Sequence, residues 1–441
     1  MAILTPGEET VSLMLYLLLL RPERWTHRRV ESVEILDDRS IHRRVSLDIA
    51  IDRDRVLGPE FTEDDASLDF STLEFTPLTL LRKEILQNFD LRDREDRPLP
   101  ILTKKQTDEI SGNTLIFVAE SVLDADLPED LEHKLRFVVE QESDLARSEL
   151  ESWQWAADDP DDRHRNVWRT LTSDDAFLDF ANSLVDSFVL LAVTDPFPAS
   201  RQVLKLGYEE RFADEDSFDS LRALVIPFGW SRKDLSVHVS PISLATSYHL
   251  EVAAPTDLEI DAAQLRFEPV NPDGDQVPEN VTVGGCLQRA HLYAGQVGTE
   301  FQAKAVIYLR RQRDAFLRSA FLTALLVCVL LAIGLSRLDD LLGTANSGQG
   351  QTGAALLLIT PTLLAAYIVR PGEHRLATKI LGGVRMLVVG AALCAIVAVG
   401  VLAAGYSSCT SRVIWSIDLG LACAITLGLL ASLVLPRPTQ A

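Results

Sequence analysis

Apolar and polar residues alternate one by one in "VSLDIAID" (Val45–Asp52), the period of a strand with one buried face. The same short period recurs after residue 200, in "VLKLGYEE", "ALVIPFG", "LSVHVS", "SYHLEVAAP", "QLRFEPV", "RAHLYAG" and "QAKAVIYLRR". Short strands at roughly 10–20 residue intervals, separated by turn residues, predict a β-sandwich. "FDLRDREDRPLPIL" adds a predicted hairpin turning near Arg94–Asp96. Between these strand regions the period lengthens. Leu131, Leu135, Val138, Leu145 and Trp153 recur at helical spacing, as do Phe177, Phe180, Ala181, Leu184, Val185 and Phe188 behind a capping Ser173. Trp153, Trp155 and Trp168 lie close together in the chain and read as core aromatics.

After Ala315 the pattern gives way to long apolar runs. Ser319–Ser336, Thr352–Val369, Met386–Ala404 and Val413–Leu435 each approach the length of helix that crosses a bilayer, about 20 residues. Asp418 is the one charged residue within them, and Pro361 is expected to kink the second. The predicted fold class is therefore an α+β soluble region, with β-sandwich-like strands and central helices, followed by a four-helix transmembrane domain. Three parts are expected: 1–200, a mixed region with two central helices; 201–312, a sandwich-like unit next to the membrane; and 313–441, the spans. The apolar run Val11–Leu20 is too short to span, and "MAILTPGEET" before it has no basic residue, so it reads as part of the soluble body rather than a signal.

Charge changes the picture by giving the spans a direction. Arg310, Arg311, Arg313 and Arg318 precede the first span; Arg370, Arg375, Lys379 and Arg385 separate the second from the third. The other connections carry Arg337 and Arg412. Basic residues stay on the cytoplasmic side, so both termini and the soluble region are expected in the cytoplasm. The whole chain has 42 Lys+Arg and 64 Asp+Glu; from Ala315 onward there are 8 and 4, which leaves 34 and 60 before it, a net of −26. So acidic a body disfavours nucleic acid as a partner. The partners left are the lipid bilayer, a protein, or a second copy of the chain. "VRPGEHRLATKILGGVR" is then the cytoplasmic loop of a helical hairpin. Its basic residues are expected either to anchor it at the membrane surface or to dock an acidic face of the body, with Glu373 and His374 setting the contact.

Candidate chemistry is sparse. The five cysteines share no metal-ligand or disulfide-framework spacing. Phosphate-binding loops, nucleophile elbows, zinc-protease and kinase signatures are missing, so no catalytic residue, metal ligand or cofactor is predicted. "DDPDDRHR" (Asp158–Arg165) lacks the glycine and terminal glutamate of a calcium loop and reads as a solvated loop. His238 and His249 read as solvent-face residues on strands. Asp418, costly at membrane depth, is either an ion or proton ligand or a carboxylate capped near the outer interface by water or Arg412. The weak binding candidates are thus Arg370, Glu373, His374, Arg375, Lys379 and Asp418.

Three stretches, "LLRKEILQNFDLRDREDRPLPILT", "SYHLEVAAPTDLEI" and "AAYIVRPGEHRLA", resemble a widespread group of uncharacterised bacterial membrane proteins with an acidic soluble N-terminal region and C-terminal spans. The resemblance implies this architecture and a bacterial plasma membrane, and carries over no catalytic residue. Three functions remain open: a membrane-tethered, non-enzymatic binding or regulatory module; a four-helix effector or small channel gated by the cytoplasmic region; and an enzyme with an unrecognised site in the acidic region.

Overall fold

The computed structural model describes residues 6–37, 40–57, 70, 73–83, 87–194, 201–211, 233–239, 245–256, 258–269, 280–295, 301–311, 316–340, 374–404 and 406–434. Its described strands are β1 (Thr26–Ile35), β2 (Ser40–Ile49), β3 (Phe75–Arg82), β4 (Gln87–Arg92), β5 (Ser187–Val193), β6 (Gln202–Arg211), β7 (Lys233–His238), β8 (Tyr248–Ala253), β9 (Leu258–Pro269), β10 (Val281–Leu287), β11 (Arg289–Ala294) and β12 (Phe301–Arg311). Its described helices are α1 (Pro6–Leu20), α2 (Arg53–Leu57), α3 (Lys104–Leu123), α4 (Glu129–Glu140), α5 (Ser143–Asp158), α6 (Arg165–Thr172), α7 (Asp175–Asp186), α8 (Phe316–Ser336), α9 (Arg375–Ala404) and α10 (Ser408–Val434).

A six-stranded mixed sheet, β11-β8-β1-β2-β6-β4, organises the N-terminal region. It draws on strands from both sides of residue 200, because β1 runs parallel to β8, with Arg29 opposite Tyr248. Alternation gives the sheet one buried face: β2 turns Ile41, Arg43, Val45, Leu47 and Ile49 inward. Two covers share that face. Val33, Ile35, Ile41, Leu250 and Leu292 pack against a second sheet, β10-β9-β12-β7, through Leu265, Ala305 and Ile307. This is the sandwich. Val45, Leu47, Ile49, Leu204 and Leu206 pack instead against α1 and the β3–β5 pair, through Met14, Leu18, Leu78 and Leu190. Behind β3–β5, helices α3 to α7 enclose a further core, in which Trp153 stacks on Trp168 at 5.0 Å between ring centres.

Helices α8, α9 and α10 are long and apolar enough to cross a membrane. Buried positions on α8 and α10 follow an alternating three-and-four spacing, whereas α9 buries a broader face. On α10 the seam runs through Ser411, Trp415, Asp418, Ala422, Ile425, Leu429 and Ser432, with Thr426 buried beside it, the spacing of a left-handed bundle. Register follows from the contacts. Leu317 and Ala320 share a cluster with Val384, Val388 and Leu429, whereas Leu331 shares one with Ala398 and Trp415. So α8 and α9 run parallel and α10 runs against both.

Some expectations fall outside the described residues and others change. The second apolar run, Thr352–Val369 with Pro361, lies outside the described residues, as does "ALVIPFG". The helix expected from Met386 starts at Arg375, because nothing after Pro371-Gly372 breaks it and Leu376 finds a buried place. The helix expected through Phe188 ends at Asp186, and "SFVLLAV" becomes β5, with Val189 to Ala192 all buried; a short run buried at successive positions has no period to distinguish strand from helix. The cap of α7 is Asp174, which accepts the Phe177 N–H at 2.8 Å, rather than Ser173. The expected turn near Arg94–Asp96 is present, with the Asp93 N–H on the Arg97 carbonyl and the Leu99 N–H on the Leu91 carbonyl, both at 2.9 Å, although the returning arm is a single bridge at Pro98 rather than a strand. Trp155 is 78% exposed rather than in the core.

Candidate functional site

Strand β12 leads towards α8, and its Arg310 is held by Glu259 at 2.7 Å and Asp261 at 2.9 Å on β9. At this end of the sandwich, α9 also begins. His374 stands just before its first turn. One ring nitrogen, Nε2, lies 2.9 Å from the Ile35 carbonyl at the end of β1, and the other, Nδ1, accepts the Leu376 N–H at 3.3 Å. A carbonyl can only accept, so Nε2 carries the hydrogen and Nδ1 is the free acceptor. The ring therefore caps α9 and ties it to β1 at once. Leu376 is 1% exposed and belongs to the sandwich core with Val33, Ile35 and Ile41.

The predicted site residues are not gathered in one place. Arg370 and Glu373 lie outside the described residues. Arg375 and Lys379 fall in the opening turns of α9, and Arg385 follows two turns later; the stretch expected as a loop is helix here. α9 meets the body through the His374 ring on the Ile35 carbonyl and through the Leu376 side chain. Asp418 sits elsewhere, within the membrane bundle and 8% exposed. Arg412 does not cap it, because that guanidinium pairs with Asp339 at 2.6 Å.

Two features escaped the sequence reading. The first is a charged layer between the two covers of the large sheet. Arg29 and Arg43 grip opposite oxygens of Glu31, at 2.7 and 2.5 Å, with all three side chains nearly inaccessible to water. Arg29 also donates to Thr79 at 3.2 Å, and Arg43 to Glu210. Burial by itself would raise the Glu31 carboxyl, but the charges and hydrogen bonds of the two guanidiniums hold it down at about 2. Burial, and then the Glu31 charge, push the Tyr248 hydroxyl well above its ordinary range. The available signal was that Arg29 and Glu31 share the inward period of Val33 and Ile35. The second feature is on the outer face of the same sheet. There His249 and His291 meet at 3.1 Å, with Tyr293 5.0 Å from His249 between ring centres. Their partnership depends on the β8–β11 register, which local pattern does not reveal.

No protein-family model matches the chain, and no curated protein resembles it significantly.

Proposed function

We propose that this chain is a multi-pass protein of a bacterial plasma membrane, with both termini cytoplasmic. Its cytoplasmic body, non-enzymatic in this reading, binds a protein or small ligand and passes its state to the membrane helices through His374 and Leu376. Leu376 carries the reading: a residue at the start of a membrane helix is buried in the core of the soluble region. A plain anchor needs no such residue. Burying one leucine contributes about 1.5–3 kcal/mol. That is enough to favour a closed joint, and small enough for a ligand with a modest preference for one state to reverse.

Topology supports the membrane placement. Asp340 lies at the far end of α8, past Asp339 and its Arg412 partner, whereas His374 lies at the body end of α9. Because α8 and α9 run parallel, Asp340 and His374 stand at opposite ends of the bundle, and the 33 residues between them in sequence include the apolar run Thr352–Val369. A fourth span there agrees with the Lys/Arg asymmetry.

The test uses paired cysteines, Ile35→Cys with His374→Cys, in a full chain whose five native cysteines are replaced by serine. Oxidation should join them, Leu376→Asp should abolish the crosslink, and a partner recovered by pulldown should change its rate. A crosslink that never forms, or that ignores Leu376→Asp, defeats the reading. Asp418 favours a second reading, in which the spans are a small channel or effector gated by the body. Ion flux from liposomes containing the full chain distinguishes it.

A further inference from the structure

The buried seam of the membrane bundle contains a carboxyl group with nothing described to neutralise it. Asp418 Oδ2 is sealed from solvent and has no hydrogen-bond partner among the described residues. The residue is 8% exposed, and its carboxyl is close enough to Cys394 on α9 to act on it electrostatically. One turn earlier on the same seam, the Trp415 indole Nε1 is also buried with no partner among the described residues. The carboxyl is not at the surface. Arg412 and Asp339 form an exposed pair that marks one end of the bundle, and Asp418 follows Arg412 by six residues, about 9 Å along the helix.

An unpaired carboxylate in a low-dielectric seam is far costlier than one in water, and neutralising it is the cheaper outcome. Among the described residues no group of His, Cys, Asp or Glu side chains is placed to hold a metal ion, and the core cluster on this part of the seam consists of Cys394, Trp415 and apolar side chains. A proton needs only the carboxyl itself. We propose that Asp418 is an intramembrane proton-binding site: it holds a proton within the α9–α10 seam, and exchange of that proton requires the seam to open. Once ionised, the group would need a donor, and the Trp415 N–H is placed on the same face to supply one. This proposal rests on the membrane placement above, but thiol labelling of Cys409, described below, tests that placement separately.

Carbodiimides test it. A protonated carboxyl adds its O–H across one C=N bond: the proton goes to nitrogen, the oxygen bonds to the central carbon, and the O-acylisourea rearranges to a stable N-acylurea. Full chain in liposomes at neutral pH is treated with the apolar dicyclohexylcarbodiimide or with a water-soluble carbodiimide, and the peptide containing Asp418 is read by mass spectrometry. The apolar reagent should modify Asp418 and the soluble one should not. Modification should fall as pH rises, and replacing sodium with choline should leave it unchanged. Absence of modification, equal modification by the soluble reagent, or protection by sodium would each overturn the proposal; the last would make the site one for a metal cation. Asp418→Asn imitates the neutral acid and reports independently through oxidative crosslinking of Cys328 to Cys423. Crosslinking at the wild-type rate is expected; a severalfold loss would mean that the seam depends on an ionised Asp418.

Discussion

Glu31→Gln is the sharpest perturbation of the soluble body. Glu31 is fully inaccessible, and its two guanidinium partners are 1% and 3% exposed. With Gln in its place, Arg29 and Arg43 stay buried and lose the carboxylate they share, while Arg43 keeps the partly exposed Glu210. Two routes give the magnitude. The Glu31 carboxyl titrates at about 2 in the folded chain against 4.5 ordinarily, which corresponds to about 3 kcal/mol of folded-state preference for the charged form. Removing one partner of a buried ion pair costs about 3–5 kcal/mol. The routes agree on a loss near 3 kcal/mol at neutral pH, or roughly a hundredfold in the population of opened molecules. The sign with pH follows from the depressed value. The contribution is complete above the ordinary value of 4.5 and is lost as pH falls towards 2.

Native-state proteolysis of the full chain in detergent measures this, because cleavage tracks the opened population when reclosing is fast. The variant should be cleaved roughly a hundredfold faster at neutral pH, and the two proteins should converge on acidification. A variant within about 1 kcal/mol of wild type at neutral pH, or one with the same acid sensitivity, would refute the reasoning. The triple change Arg29→Met, Glu31→Leu, Arg43→Met should recover much of the loss, since an apolar replacement of a whole buried network leaves no orphaned charge.

Two further outcomes concern the membrane part. A Cβ on Gly334 would lie 2.0 Å from Trp415 Cζ3, so Gly334→Ala should push α8 off α10 at a cost of about 1–3 kcal/mol. The native Cys328–Cys423 pair, 3.2 Å between sulfurs, reports this: copper-phenanthroline should crosslink it in wild type and much more slowly in the variant, and equal rates would reject the packing. On intact cells an impermeant thiol reagent should reach Cys409, which is exposed, and spare Cys286; labelling of Cys286 would overturn the proposed orientation.

What was legible depends on how local each determinant is. Three of the four apolar runs are apolar helices, because crossing a bilayer demands a length and composition that sequence displays directly. The strands β6, β8, β9, β11 and β12 were visible because their outward residues are polar and their inward ones apolar. β1 was not, because Arg29 and Glu31 occupy inward positions and spoil the alternation of "THRRVESVEI". β5 was missed because burial on both sides removes the period. Asp418 stood out as a lone acid in an apolar run. Leu376 did not, since its burial depends on β1, β2 and β12, all far away in sequence.

Helix α9 makes the two sites a mechanical problem as well as an electrostatic one. Leu376 lies at its start and Cys394, the neighbour of Asp418, 18 residues later, about 27 Å along the axis. The stretch between contains no proline, and Gly382 and Gly383 lie within continuous helix. A helix without a break transmits tilt, so a movement that withdraws Leu376 from the sandwich must also change how α9 meets α10. At the other end of β1, the charged layer stiffens the strand whose carbonyl receives His374. The path from body to carboxyl therefore consists of one strand, one imidazole and one helix, each held by a different interaction: a buried ion pair, a hydrogen bond and an apolar seam. Uncoupling should accordingly be possible at each step without loss of the others. Leu376→Asp should change the carbodiimide reactivity of Asp418 while leaving the body's resistance to proteolysis near wild type. If reactivity at Asp418 is indifferent to Leu376→Asp, the body and the bundle are joined but not coupled.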